Sequence, residues 1–191
     1  VKKRLFLAIE LSRETKEELA QFLEDLKRHY FPVRWVAPEN IHLTLAFIGW
    51  QEKEIANIKN QIAKRLDDIS PFTLRISGIG CFPNNRRPRV IWLGLTGDLE
   101  SLKELQVNIK EGLAKIGVKT EEREFTPHLT LGRVKRDLRP QALIDLGQRV
   151  TKLEALEFKS EILADKVCLF ESILHPNGPE HRKLEEVQLE Q

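Results

Sequence analysis

The chain has 191 residues, of which 41% are hydrophobic and 31% charged, and a formal net charge of +2. That length fits one domain, or two lobes sharing one core, and the apolar content excludes a disordered or low-complexity chain. A charge so near balance does not mark a nucleic-acid binder by bulk electrostatics, although it leaves room for a local basic patch.

No apolar run approaches the roughly 18 residues of a membrane span, so no membrane partner is expected. The opening "VKKRLFLAIEL" has a basic start but too short an apolar stretch and no small-residue cleavage site, and it reads as a first strand over 4–11 rather than a leader. Ser12 or Thr15 can cap the next helix, and Thr15 with Glu18 fits a capping box. Leu19, Phe22, Leu23 and Leu26 then give one apolar helix face, and Pro32 ends that helix. "VRWVAP" is a short extended segment, and "IHLTLAFI" (41–48) is a second strong strand.

A helix is expected from Glu52 to Leu66, then a half-buried strand over 72–82, loop chemistry in "PNNRRP", and a returning strand over 89–95. Leu102, Leu105, Ile109, Leu113 and Ile116 mark a third helix, with Gly117 as its stop. "FTPHLTLGRV" (125–134) is a strand, the basic "KRDLRP" a loop, and 141–149 a short helix. "LEFKSEI", "KVCLFESIL" and "KLEEVQL" read as three final strands. The sum is an α+β chain with mostly antiparallel pairing. Cys81 and Cys168 lie in apolar strands without metal-ligand spacing, as buried thiols of a cytoplasmic protein would.

The tetrapeptide HLTL occurs twice, at 42–45 and at 128–131. On a strand, His42 and Thr44 share one face while Leu43 and Leu45 share the other, and the same holds for His128 and Thr130. Each copy therefore fixes an imidazole beside a hydroxyl on a rigid element, with leucines anchoring the back. Histidine donates and accepts protons near neutral pH, so two of them across a cleft supply an acid and a base. The hydroxyls suit the two non-bridging oxygens of a phosphodiester, where charge builds in the transition state. A metal site is the sharper rival, but threonine is a poor ligand and neither copy carries a carboxylate or cysteine at i+3 or i+4, so neither metal nor cofactor is expected. His29, His175 and His181 stand in helix-end or loop contexts and default to the surface.

These residues resemble the two-histidine phosphoesterase superfamily, with its paired His-x-Thr/Ser motifs, and within it the RNA 2′,3′-cyclic phosphodiesterases, also called 2′-5′ RNA ligases. "RLFLAIEL", "ENIHLTLAFIG", "GIGCFPNNRRPRVIWLGL", "FTPHLTLGRV" and "SILHPNGP" are similar to family segments in that order. The resemblance implies a single bilobal domain over 1–191: two similar lobes of mostly antiparallel sheet, helices outside, and a central V-shaped cleft. It implies metal-independent opening of an RNA 2′,3′-cyclic phosphate to a 2′-phosphate, with reversal giving a 2′-5′ linkage. By that likeness His42 is the acid and His128 the base, although the roles are symmetric on paper, and Thr44 and Thr130 hold phosphate oxygens. Phe47, as a platform for the terminal base, and Arg133, near phosphate or base, also match. Each lies five residues past its histidine, so an ideal strand points it away, and it reaches the site only if the strand ends or bulges, which Gly49 and Gly132 permit. His181 stands where the family often has an aromatic after Gly-Pro, a departure expected to affect the cleft edge without touching the catalysts. The implied partner is RNA ending in a 2′,3′-cyclic phosphate, tRNA halves included, and a monomer is expected. The basic clusters Arg86, Arg87, Arg89 and Lys135, Arg136, Arg139 form a phosphate-tracking rim if both loops border the cleft. The rival reading is a module that holds RNA or a nucleotide in the same cleft without turnover.

Overall fold

A computed structural model describes residues 2–122, 124–153, 158–176 and 178–190. Among these residues, nine strands and four α-helices are present. In chain order they are β1 (Lys3–Glu10), α1 (Arg13–Lys27), β2 (Val33–Trp35), β3 (His42–Gln51), α2 (Ile55–Leu66), β4 (Phe72–Phe82), β5 (Val90–Gly97), α3 (Leu99–Lys115), β6 (His128–Val134), α4 (Pro140–Lys152), β7 (Ser160–Ala164), β8 (Lys166–His175) and β9 (Gly178–Gln188). A single 3-10 turn, Pro38–Asn40, precedes β3.

The strands form one curled sheet in the order β7-β4-β5-β6-β3-β1-β8-β9, with β2 added beside β6. Its two four-stranded halves are antiparallel throughout and meet where β3 lies against β6, at the single register pair Leu43–Leu129. The expected lobes are thus halves of one sheet, related by the two HLTL strands at the join. Leu43 and Leu129 are fully buried, and truncating such a side chain to alanine costs about 2–5 kcal/mol. The buried faces of all four helices join the back of the sheet in one apolar core. The concave face is left as the cleft.

Local chemistry sets the element ends. Ser12 caps α1 by accepting from the Thr15 amide at 3.0 Å. Thr15 is no cap: it is buried inside the helix, with its hydroxyl against Ser12 and Ser160, so the expected capping box does not form. Asp98 caps α3 through the Ser101 amide and hydroxyl, and Gly117 follows that helix at φ +72°. The second helix begins at Ile55, three residues later than expected; Glu54 precedes it without a side-chain capping bond. Of the strand expected in "LEFKSEI", residues 156 and 157 lie outside the described residues, as does Asn177 of "SILHPNGP".

Candidate active site

Both HLTL strands carry the same irregularity. Thr44 pairs with Ala8 and Ala46 with Leu7, so Leu45 is an extra residue in β3. Thr130 pairs with Trp92 and Gly132 with Ile91, so Leu131 is an extra residue in β6. One inserted residue reverses the alternation of faces beyond it. His42 and Thr44 are half-buried, Leu43, Leu45 and Ala46 buried, and Phe47 exposed. The sequence from His128 to Arg133 repeats that pattern residue for residue. The bulges therefore return Phe47 and Arg133 to the face that carries the histidines. They sit at the second leucine of each motif, not at the glycines proposed from the sequence. Gly132 has a different necessity: a Cβ there would lie 2.5 Å from a Val33 methyl and 3.0 Å from the Trp35 ring, where β2 closes on β6.

The imidazoles are held alike. His42 Nδ1 lies 2.7 Å from the Asn40 carbonyl oxygen, and His128 Nδ1 lies 2.7 Å from that of Thr126. A carbonyl only accepts, so each Nδ1 must carry the proton and donate. This selects one tautomer in both rings and leaves both Nε2 atoms for the cleft. The Thr44 and Thr130 hydroxyls are on the same face and have no hydrogen-bond partner among the described residues.

An aromatic floor lies under both rings. Phe6 stacks on His42 at 4.7 Å and on Phe170 at 5.2 Å, and reaches Phe47 at 6.2 Å. With Ala8 and Cys168, Phe6 and Phe170 form a second buried apolar cluster, on the cleft side of the sheet. On the other half, Phe82 meets His128 edge-on at 4.8 Å and Trp92 lies 6.4 Å from it. The Trp92 ring fits because Gly80 is its cross-strand neighbour: a Cβ there would lie 2.5 Å from the indole.

His181 overturns its surface assignment. Carried by β9, it packs edge-on against His42 at 5.0 Å and against Phe6 at 4.9 Å, so it touches a proposed catalyst directly. Its Nδ1 is buried without a hydrogen-bond partner among the described residues. A pocket of about 120 Å³ lies between His42, His181, Phe170 and Lys183, walled by the Glu10–Lys16 ion pair. Of the other two histidines, His29 stacks on Phe31 and His175 pairs with Glu180.

Electrostatics favour neutral imidazoles in the free protein. Burial pushes His42 down to about 4, helped by the charges that His181, Lys16 and His128 would bring. Burial also lowers His128, helped by Arg133, through a smaller shift. Burial raises both cysteine thiols to about 11, which keeps them protonated and unreactive. No group of three or more His, Cys, Asp or Glu side chains is placed to hold a metal ion among the described residues.

Two imidazoles held in the same tautomer, each with a threonine hydroxyl on its face that has no partner among the described residues, are the arrangement expected of a paired-histidine phosphoesterase. The chain belongs to the 2′-5′ RNA ligase superfamily, whose family model matches residues 15–172. An RNA 2′,3′-cyclic phosphodiesterase of Methanocaldococcus jannaschii is 38% identical over 185 residues, covering 96% of this chain and 99% of the relative. One from Thermotoga maritima is 32% identical over 189 residues, covering 98% and 96%. Among solved structures, TT0787 of Thermus thermophilus aligns with a TM-score of 0.75 at 27% identity over 97% of each chain. Escherichia coli LigT complexed with 3′-AMP aligns at 0.73 and 25% identity over the whole of both chains.

Sequence reasoning missed the floor. Phe6 and Phe170 sit in strands apolar on both faces, so no alternation separated cleft from core. His181 was hidden by its polar neighbours in "GPEHRKL".

Proposed function

We propose that the protein is a metal-independent RNA 2′,3′-cyclic phosphodiesterase. The observation that carries this is the matched pair of imidazoles, each tied through Nδ1 to a main-chain carbonyl with Nε2 left for the cleft, each beside a threonine hydroxyl without a partner among the described residues. The names of the relatives, and the 3′-AMP held by LigT, support a nucleotide phosphate as ligand.

Ring opening starts at His128, whose Nε2 takes a proton from water as the water oxygen bonds to phosphorus. The bond from phosphorus to the 3′ oxygen breaks, and His42 Nε2 delivers a proton to that oxygen. The products are a 2′-phosphate and a 3′-hydroxyl, and each histidine resets by exchange with solvent. Each proton transfer is worth about 10²–10⁴ in rate. Thr44 and Thr130 donate to the non-bridging oxygens of the reacting phosphate, Phe47 stacks on the terminal base, and Arg133 stands near phosphate or base along the strand.

The surroundings support this division of roles. A depressed pKa makes protonated His42 the stronger acid toward the leaving oxygen, and the anionic phosphate restores the proton that burial disfavours. The smaller shift leaves His128 the better base. In reverse, a 5′-hydroxyl replaces water and the product is a 2′-5′ linkage. The substrates are RNAs with a 2′,3′-cyclic end, tRNA halves among them, and the protein acts as a cytoplasmic monomer. Two buried protonated thiols agree with a reducing compartment.

Product analysis tests the reading. A cyclic-ended oligonucleotide should yield a 2′-phosphate in chelator as in buffer; binding without ring opening would leave the module reading instead. Sulfur in place of the 3′ oxygen leaves without a proton. That substrate should restore turnover to His42→Ala but not to His128→Ala; rescue of His128→Ala alone would reverse the roles.

A further inference from the structure

Arg34 on β2 is the direct cross-strand partner of Arg133 on β6. Direct partners share a face. The residues on either side, Val33 and Trp35, point the other way, into the core and against Gly132. Arg34 is therefore on the cleft side, and it is exposed, as is Arg133. The charge of Arg133 acts on His128, which places it toward the site.

Like charges directly opposed across a ladder destabilise it. Other cations on the sheet and its helices, Lys3, Lys16, Arg65 and Lys183 among them, each meet a carboxylate. Arg34 and Arg133 have no ion pair or hydrogen bond from their side chains among the described residues. Arg89 and Lys135 crowd the same end: the Val134 amide donates to the Arg89 carbonyl, and the Lys135 amide to that of Pro32, both at 2.9 Å. Neither of these has an ion pair among the described residues. One end of the cleft thus gathers four cations that have no ion pair among the described residues.

We propose that Arg34 and Arg133 together grip a backbone phosphate of the RNA other than the one that reacts. This rests on the cyclic phosphodiesterase reading and extends it from the terminal nucleotide to the strand. Main-chain spacing sets the arginine pair apart from the histidine on the same strand. Gly94 lies opposite His128 and Val90 opposite Arg133, four residues apart on β5, or roughly 13 Å along the strand. The imidazoles and threonines occupy the centre, and the arginine pair stands outside it. Two guanidiniums side by side match the oxygens of one phosphodiester through paired N–H donors.

The test compares a mononucleoside 2′,3′-cyclic phosphate, which has only the reacting phosphate, with a cyclic-ended short oligonucleotide. Arg34→Gln should cut the preference for the oligonucleotide, as a ratio of kcat/KM values, roughly tenfold. Binding of a 2′-phosphate-ended oligonucleotide should lose about 0.7 from its log–log salt slope, and Arg34→Lys should keep that slope. An equal loss on both substrates would assign Arg34 to the reacting phosphate and overturn the proposal. An unchanged preference with an unchanged salt slope would remove Arg34 from RNA contact. Wild-type protein that opens neither substrate would refute the underlying activity; the salt slope would still judge Arg34.

Discussion

His42 rests on a stacked phenylalanine and has a third imidazole against its edge, whereas His128 meets one phenylalanine edge-on and a tryptophan at greater distance. As far as Phe47 and Arg133 their strands are copies, down to the carbonyl that fixes each tautomer and the bulge at the second leucine; beyond that β3 has a second extra residue, Ile48. The comparison separates two things a site must set. The repeated backbone fixes which nitrogen faces the cleft and which hydroxyl stands beside it. The unrepeated floor sets how readily each ring takes a proton, and burial on the Phe6 side lowers His42 the further. Beyond the bulges the copies part again, with Phe47 at one end of the cleft and Arg133 at the other, because β3 and β6 run antiparallel.

The largest effects should come from breaking what the copies share. His42→Ala and His128→Ala should each lower kcat by about 10²–10⁴, with thermal unfolding close to wild type because neither ring is part of the main core. A near-normal rate in either variant would remove that ring from the mechanism. Thr44→Val and Thr130→Val come next. On the proposed mechanism each removes a donor to the phosphate and should cost about 10²–10³ in kcat with little change in KM. A rise in KM alone would make the hydroxyls binding groups for the ground state.

How much of this the sequence disclosed follows from which signals are periodic. Two strands with His and Thr in phase are visible because a strand alternates every second residue. The bulges are not, since Leu45 and Leu131 look like ordinary core positions and only the partner strand shows them to be extra. Strict alternation therefore argued against Phe47 and Arg133, and the inserted leucine is the physical reason it misled. The start of α2 was misplaced because "QEKE" supplies no capping side chain. Arg34 could be found only from register, because "VRWVAP" does not say which strand it joins.

Where the copies differ by design, smaller effects should follow. Phe47 is 44% exposed, too open for a core residue, and its ring continues the floor from Phe6. Stacking on a base is worth about 1–3 kcal/mol, so Phe47→Ala should lower kcat/KM by roughly 5- to 150-fold, through KM more than kcat. Phe47→Tyr should retain most of it, and an abasic terminal nucleotide should abolish the difference between the variants. Arg133→Gln acts at the opposite end and should leave the base preference of the terminal nucleotide as it is.

The smallest and sharpest test concerns the third imidazole. Burial is the main cause of the low His42 pKa, and the potential charge of His181 is the next. His181 itself is lowered by burial and by Arg4, and Lys16 and His128 also face His42 with charges that disfavour its proton. His181→Phe keeps a ring against Phe6 and His42 but removes one of those charges. His42 should then hold its proton to higher pH. The lower limb of the kcat/KM profile, which His42 sets, should move up, yet stay below the ordinary imidazole value because burial and the other cations persist. The upper limb, set by His128, should stay in place, since burial, Thr126 and Arg133 govern it and His181 does not. A lower limb that fails to move, or an upper limb that moves with it, would show that the difference between the two halves does not come from β9.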